Sequence, residues 1–205
     1  MTVFVPAGSE GTRRCVVLSI RDDVDEITAL VGSLRFELLD TVVQKRGHPD
    51  PRSYVGRGKV EELRDIAKEL EADLIIVDDE LKPSQVHNLQ SVVGIDVFDR
   101  VRLILEIFTR RARSQEAKLQ VELATLQYRI PLVKETINLL KKGERPGLLA
   151  GGEVGTHQYL REIRARMAKI KRELDDVKKV RSVRRKHRRR RSFVTVSVAG
   201  YTNAG

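Results

Sequence analysis

Hydrophobic side chains recur at alternating spacings of four and three residues along the second half of the chain. This spacing is typical of a heptad repeat, in which the first (a) and fourth (d) positions line the contact between two helices. The first run comprises Leu119, Leu123, Leu126, Ile130, Val133, Ile137 and Leu140, and the second comprises Leu160, Ile163, Met167, Ile170, Leu174 and Val177. A glycine-rich stretch, residues 143–155, separates them. The pattern predicts a long antiparallel helical hairpin (a coiled coil) over residues 100–191.

The first hundred residues have a different period. Four short apolar runs read as buried strands, and amphipathic stretches between them read as helices. The runs are Cys15–Ile20, Leu38–Gln44, Leu74–Val77 and Ile95–Phe98. Pro83 is placed to begin the third helix and Gly94 to end it, while Asp22 or Asp23 is expected to cap the first. Strands alternating with helices predict a small four-stranded parallel α/β subdomain over residues 1–99.

Pro131 falls inside the first helix of the predicted hairpin. A proline there removes the hydrogen bond to the carbonyl of Gln127. The heptad spacing continues through it without a change of phase, so we expect a bend and not a break.

The net charge of +10 is concentrated in one region. Residues 161–191 hold sixteen Lys and Arg against four Asp and Glu, a balance of +12, which leaves the rest of the chain slightly acidic. Such a field suits a polyanion, most commonly nucleic acid. The RNA-binding candidates lie at the hairpin tip and in the Arg-rich end: Lys141, Lys142, Arg145, Gly147, Gly151, Gly152, Arg184, Arg185 and Arg188. Two interpretations of the tip stay open, a disordered linker and a mobile loop that orders against RNA.

Three other polar segments could bind a ligand, but a structural role is the simpler interpretation of each. The turn Gly56–Lys59 could hold a phosphate at a helix N-terminus, or it could be a tight strand-to-helix turn. Asp78–Glu80 favour loop capping over metal binding, and Arg110–Arg113 favour a solvated or RNA-facing helix side. One buried cysteine and four scattered histidines make no metal site.

A strand-like run, Phe193–Ala199, leads directly into Gly200, Tyr201, Thr202, Asn203, Ala204 and Gly205. Two glycines separated by four residues, after a buried strand, match the first six positions of a phosphate-binding P-loop. The loop's backbone N–H groups cradle phosphates, which a side chain at either glycine would obstruct. The Lys and Ser/Thr that complete the motif would follow Gly205.

Several blocks together resemble the HflX family of ribosome-associated GTPases. They are Arg52–Leu63, Leu74–Leu89, Asp96–Tyr128, Pro146–Glu153 and Val194–Gly205. The resemblance implies an α/β subdomain, a helical hairpin and, from residue 192, the first strand of a Ras-like G domain. It implies GTP or GDP and Mg²⁺ as cofactors of the intact protein, and binding to the large ribosomal subunit, with dissociation of stalled ribosomes in some members. Many bacterial members have a GPGE-type loop followed by T-Q-L-E. In the corresponding stretch here, Ala150–Glu162, the glycines and Glu153 match that pattern and the residues after them do not.

We therefore expect the N-terminal ribosome-binding and regulatory region of such a GTPase, a cytoplasmic monomer without a membrane span. The 205 residues contain no catalytic residues of the G domain, so we expect no GTP hydrolysis by them alone. The alternative is a basic coiled-coil nucleic-acid-binding protein without nucleotide chemistry. A leucine zipper places its basic region before the heptads, whereas Arg184–Arg191 follow them here, and this order favours the first interpretation.

Overall fold

The computed structural model describes residues 12–141 and 152–190, together with Val196 and Gly200. Four strands and six helices follow one another in the order β1, α1, β2, α2, β3, α3, β4, α4, α5 and α6. Their bounds are β1 Arg14–Ser19, α1 Asp25–Ser33, β2 Glu37–Val43, α2 Arg57–Glu69, β3 Leu74–Val77, α3 Pro83–Val93, β4 Asp96–Phe98, α4 Arg100–Arg111, α5 Gln115–Lys141 and α6 Gly152–Arg190.

The strands form one parallel sheet in the order β2-β1-β3-β4. Because alternate side chains of a strand point to opposite faces, β1 feeds two cores. Val16 and Leu18 pack with the apolar sides of α2 and α3, whereas Cys15 and Val17 pack with those of α1 and α4. The predicted parallel α/β subdomain is confirmed, with each strand within about one residue of its expected bounds.

The ends of α3 are formed by the residues that the sequence predicted, whereas the start of α1 is not. Pro83 is the first residue of α3, and Gly94 ends the helix with a φ of 79°, in the left-handed region that glycine adopts without strain. The expected side-chain cap of α1 is absent. Val24 occupies the capping position, and Asp23 only accepts a long hydrogen bond of 3.4 Å from the backbone N–H of Asp25.

Helix α4 belongs with the sheet and not with the hairpin, a difference from the expected boundary at residue 99. Leu103 and Ile107 of α4 are buried in the same core as Val17 and Ile76 of the strands. Its apolar spacing is compatible with either partner, and the sheet face beside α1 needs a second covering helix. The hairpin therefore begins at Gln115.

Helices α5 and α6 form the predicted antiparallel hairpin. Buried side chains from both helices make a third core, which consists of Leu119, Leu126, Val133, Ile137, Leu160, Ile163, Ile170 and Leu174. Leu123, Ile130 and Met167 are half-buried against it. Near the end of α5 the buried residue is Leu139, whereas the predicted Leu140 is half-buried. Helix α5 passes through Pro131 without interruption, as expected.

Candidate nucleic-acid interface

The RNA-binding candidates that the structure describes lie at opposite ends of the hairpin. Gly152 begins α6, and Arg184, Arg185 and Arg188 are exposed on its last turns. At ~1.5 Å per residue, Gly152 and Arg184 are about 48 Å apart along the helix. Lys141, the last residue of α5, is exposed at the tip end. The structure therefore separates the candidates into two sites along one arm.

The remaining candidates fall outside the described residues. They are Lys142, Arg145, Gly147, Gly151 and Tyr201–Gly205, together with the strand expected before Gly200. Gly200 itself is described but lies in no helix or strand. The interpretations of the tip and of the P-loop start accordingly stay predictions.

Two arginines of α6 are engaged within the hairpin. Arg166 donates two hydrogen bonds to the carboxylate of Glu122 on α5, at 2.6 and 2.7 Å, and Arg181 pairs with Glu116. Both partners of the first pair are partly exposed, so it fixes the register of the helices more than their stability. Many other cations of α6 are solvent-exposed.

A buried carboxylate joins the hairpin to the sheet subdomain. Asp99 is fully buried and caps α4 by accepting a 2.8 Å hydrogen bond from the backbone N–H of Arg102. It also accepts from the backbone N–H of Leu81 at 3.3 Å and from the hydroxyl of Tyr128 on α5 at 3.0 Å. One side chain thus holds the loop after β3, the start of α4 and the middle of α5.

The environment of this junction perturbs both ionisable groups. Burial raises the pKa of the Asp99 carboxyl, while the backbone donors from Arg102 and Leu81 and the Tyr128 hydroxyl oppose the rise. Burial, with the nearby Asp99 charge, raises the pKa of Tyr128, so this hydroxyl stays a donor throughout the physiological range. Leu132, one turn further along α5, packs against the sheet core and completes the contact.

A second buried carboxylate, Asp78, lies at the carboxyl end of β3. Between β1 and β3 the strand order reverses, which is where ligands bind in many open α/β sheets. Arg100 donates to Asp78 at 2.9 Å, the Ser19 hydroxyl lies at 3.4 Å, and Arg21 donates to the Asp78 backbone carbonyl at 2.8 Å. This crevice is therefore filled by the protein's own side chains. Over the described residues no group of three or more potential metal ligands comes together.

The turn at Gly56–Lys59 is also engaged internally. The Gly56 N–H donates to the Gln44 side chain at 2.8 Å, and the Lys59 ammonium lies 2.8 Å from Glu62. A phosphate would have to displace the first of these bonds. The expected tight strand-to-helix turn is not present either, because β2 ends at Val43 and Gly56 caps α2, whose first turn contains Arg57–Lys59.

Arg110 has a structural partner that the sequence did not indicate. Its guanidinium donates to the backbone carbonyl of Leu34 at the end of α1 and lies over the ring of Phe36. It therefore ties α4 to α1. Arg110 is exposed, as expected for a solvated helix side, while its guanidinium contacts a residue 76 positions away in the chain.

Two family models match consecutive parts of the chain. The GTP-binding GTPase N-terminal model matches residues 21–109, and the GTP-binding GTPase middle-region model matches residues 111–188. The chain is 51% identical over 180 residues to the GTPase HflX of Thermococcus kodakarensis and 37% identical over 185 residues to that of Escherichia coli. The chain belongs to the HflX family of GTPases.

The alignments cover 88% and 90% of this HflX-family chain but only 40% and 43% of the two relatives. The chain thus spans less than half the length of these relatives. Among solved structures, it superimposes on a crystal structure of a complex of SsGBP and GDP with a TM-score of 0.67 at 22% identity, over 93% of this chain and 49% of that one. A GTP-binding protein from Sulfolobus solfataricus in complex with GDP gives a TM-score of 0.60 at 25% identity, over 80% and 46%.

The boundary between the two family models coincides with a structural boundary of the HflX-family chain. The N-terminal match ends two residues before the end of α4, and the middle-region match begins at Arg111, just before α5. This agrees with the packing of α4 on the sheet. Within the described helices, none is long and apolar enough to cross a membrane.

Proposed function

We propose that this chain is the ribosome-docking and regulatory region of a GTPase that binds the large ribosomal subunit, hydrolyses GTP and separates stalled or stressed ribosomes. In this proposal the hairpin reaches ribosomal RNA. Residues 192–205 begin the G domain, which binds the guanine nucleotide with Mg²⁺. The intact protein acts as a cytoplasmic monomer.

The observation that carries the proposal is a long exposed basic helix, α6, which packs along α5, while α5 is itself attached to the sheet subdomain. Helix α6 keeps its cations in solvent while its apolar seam is buried against α5. The clamp at Asp99 and Tyr128 fixes the middle of α5 on the sheet. A polyanion surface is the natural partner of such an arm. The GDP found with similar solved proteins supports the guanine nucleotide as the ligand of the intact protein.

The proposal is tested by co-sedimentation of the chain with purified large subunits, with small subunits as the comparison. We expect retention on large subunits, and loss of it when residues 147–152 are deleted from the tip. A Gly-Ser replacement of the same length separates the tip's sequence from its length. Equal co-sedimentation of the deleted chain, or equal binding to both subunits, would contradict the docking role of the tip.

The nucleotide part is tested separately. The purified chain is expected to show no GTP turnover, because the P-loop Lys and Ser/Thr would follow Gly205. Turnover that disappears on substitution of Gly200 would contradict this expectation.

A further inference from the structure

The two sides of the hairpin differ in burial. In a heptad, the g position precedes each a residue and the e position follows each d residue. The g residues of a helix therefore form a column along one side of its a/d contact surface, and the e residues form a column along the other side. On one side, Glu122 contacts Arg166 and Arg129 contacts Tyr159, and all four residues occupy g positions. The g columns of the two helices therefore face each other. Six of their side chains are half-buried, namely Glu122, Arg129, Thr136, Tyr159, Arg166 and Glu173, while Val180 near the end of α6 is exposed.

The e columns consequently lie together on the opposite side. Their residues are Gln120, Gln127, Lys134, Lys141, Arg164, Lys171, Lys178 and Arg185, and we call this set the e flank. All eight are exposed. Six are cations, two are amides and none is acidic. By contrast the g columns contain Glu122 and Glu173.

The cations of the e flank on α6 repeat every seven residues, from Arg164 to Arg185. At ~1.5 Å per residue their spacing is about 10 Å and their span about 31 Å. Asp175 borders the column, with its carboxylate 3.6 Å from the Lys178 ammonium, but both side chains are largely exposed. Such a pair contributes little and does not neutralise the column.

We propose that the e flank is a binding surface for an RNA double helix. This inference rests on the proposed function, which supplies RNA as the partner, and it adds the side of the arm and the form of the RNA. A straight column of cations matches a regular array of phosphates. The flank carries no aromatic side chain on which unpaired bases could stack, and single-stranded RNA is read largely through such stacking.

The amides select RNA over DNA. Gln120 and Gln127 lie in the α5 column, and the exposed Asn138 adjoins it. An amide both donates and accepts, as does the 2′-hydroxyl that lines the wide minor groove of an A-form helix. A duplex laid along the flank would therefore place phosphates on the cations and 2′-hydroxyls on the amides.

The test compares two triple variants in which exposed lysines become glutamine. The flank variant is Lys134→Gln, Lys171→Gln and Lys178→Gln. The control variant is Lys68→Gln, Lys118→Gln and Lys169→Gln, which removes the same charge from α2 and from the other sides of α5 and α6. Fluorescence anisotropy measures binding to a 16-base-pair RNA duplex, to a DNA duplex of the same sequence and to one RNA strand, across a salt series.

We expect the flank variant to bind the RNA duplex roughly 10- to 100-fold more weakly, with a salt slope less steep by about one unit per lysine. The control variant should stay within about threefold of the wild-type chain. The wild-type chain should prefer the RNA duplex to the other two probes. Equal weakening by both triples, or equal or tighter binding of DNA or single-stranded RNA, would overturn the inference.

Co-sedimentation with large subunits separates this inference from the proposed function. If the flank variant co-sediments as well as the wild-type chain, the e flank is not the contact and the proposed function stands. If the wild-type chain binds the RNA duplex through the flank but does not co-sediment, the proposed function fails and the e flank remains an RNA-binding surface.

Discussion

Replacing Tyr128 with phenylalanine should loosen the attachment of the hairpin to the sheet. The substitution keeps the ring and removes one donor, 3.0 Å from a carboxylate that is fully buried. A hydrogen bond to a charged group contributes ~1.5–3 kcal/mol. Because Asp99 keeps two backbone donors, we expect the lower half of that range, a loss of about 1.5 to 2 kcal/mol in the free energy of unfolding.

The pH dependence of this loss identifies its cause. Burial places the folded-state pKa of Asp99 above its unfolded-state value, so the ionised carboxylate lowers stability at neutral pH. That penalty disappears as the pH falls through the folded-state pKa. The Tyr128 hydroxyl opposes the shift, so its removal raises the pKa further. The difference between variant and wild type should be largest near pH 7 and shrink toward about pH 4.

Urea denaturation followed by circular dichroism measures both effects. The matched control is Tyr159→Phe, whose hydroxyl accepts a longer bond of 3.3 Å from Arg129 in a half-buried position within the hairpin. That variant should lose less than about 1 kcal/mol, without the same dependence on pH. Equal losses for both tyrosines, or a Tyr128 loss that grows on acidification, would refute the role assigned to Asp99.

Three further predictions concern single features of the fold. Burial raises the pKa of Cys15 to about 12, so its thiol should react with a disulfide reagent at pH 8 only at the rate of unfolding; rapid labelling of the folded chain would contradict its burial. Gly94→Ala should cost about 1 kcal/mol of stability, since alanine is strained at a φ of 79°, and an unchanged denaturation midpoint would argue against the left-handed cap. A double-mutant cycle with Glu122→Gln and Arg166→Gln should give a coupling of roughly 0.5–1 kcal/mol, and no measurable coupling would show that the pair is only a surface contact.

The features that could be predicted from sequence are those set by neighbouring residues. The four strands could be predicted from short apolar runs, because such a run suits a strand of a buried sheet regardless of which strand pairs with it. Pro83 and Gly94 marked the ends of α3 through backbone preferences that act locally. The heptad spacing gave the pairing of α5 and α6, and it also showed that Pro131 would not end α5.

The features that could not be predicted depend on distant partners. Asp99 could have been proposed as a helix cap, because it directly precedes an amphipathic run, but nothing in the sequence indicates Tyr128 as its donor. The hydrogen bond from Arg110 to the carbonyl of Leu34 likewise joins residues that are distant in the sequence. The apolar side of α4 suits a sheet or a second helix equally, and only the assembled core decides between them.

The residue types of the candidate interface could be predicted from the sequence, but the side of the hairpin on which they lie could not. The excess of cations in the last third of the chain indicated a polyanion partner. The division into a half-buried g side and an exposed e side required the contact of Glu122 with Arg166, which fixes how the two helices are rotated. Lys142, Arg145 and the P-loop start remain predictions.

The end of α6 has a consequence for helix stability. Beyond the contact of Arg181 with Glu116, helix α6 continues to Arg190 past the first turn of α5, and its described side chains from residue 181 to 188 are all exposed. Cations four positions apart, such as Arg184 and Arg188, repel each other and weaken the helix by a few tenths of a kcal/mol per pair. An anion that neutralises them removes this strain. A polyanion bound along this segment would therefore favour its helical form.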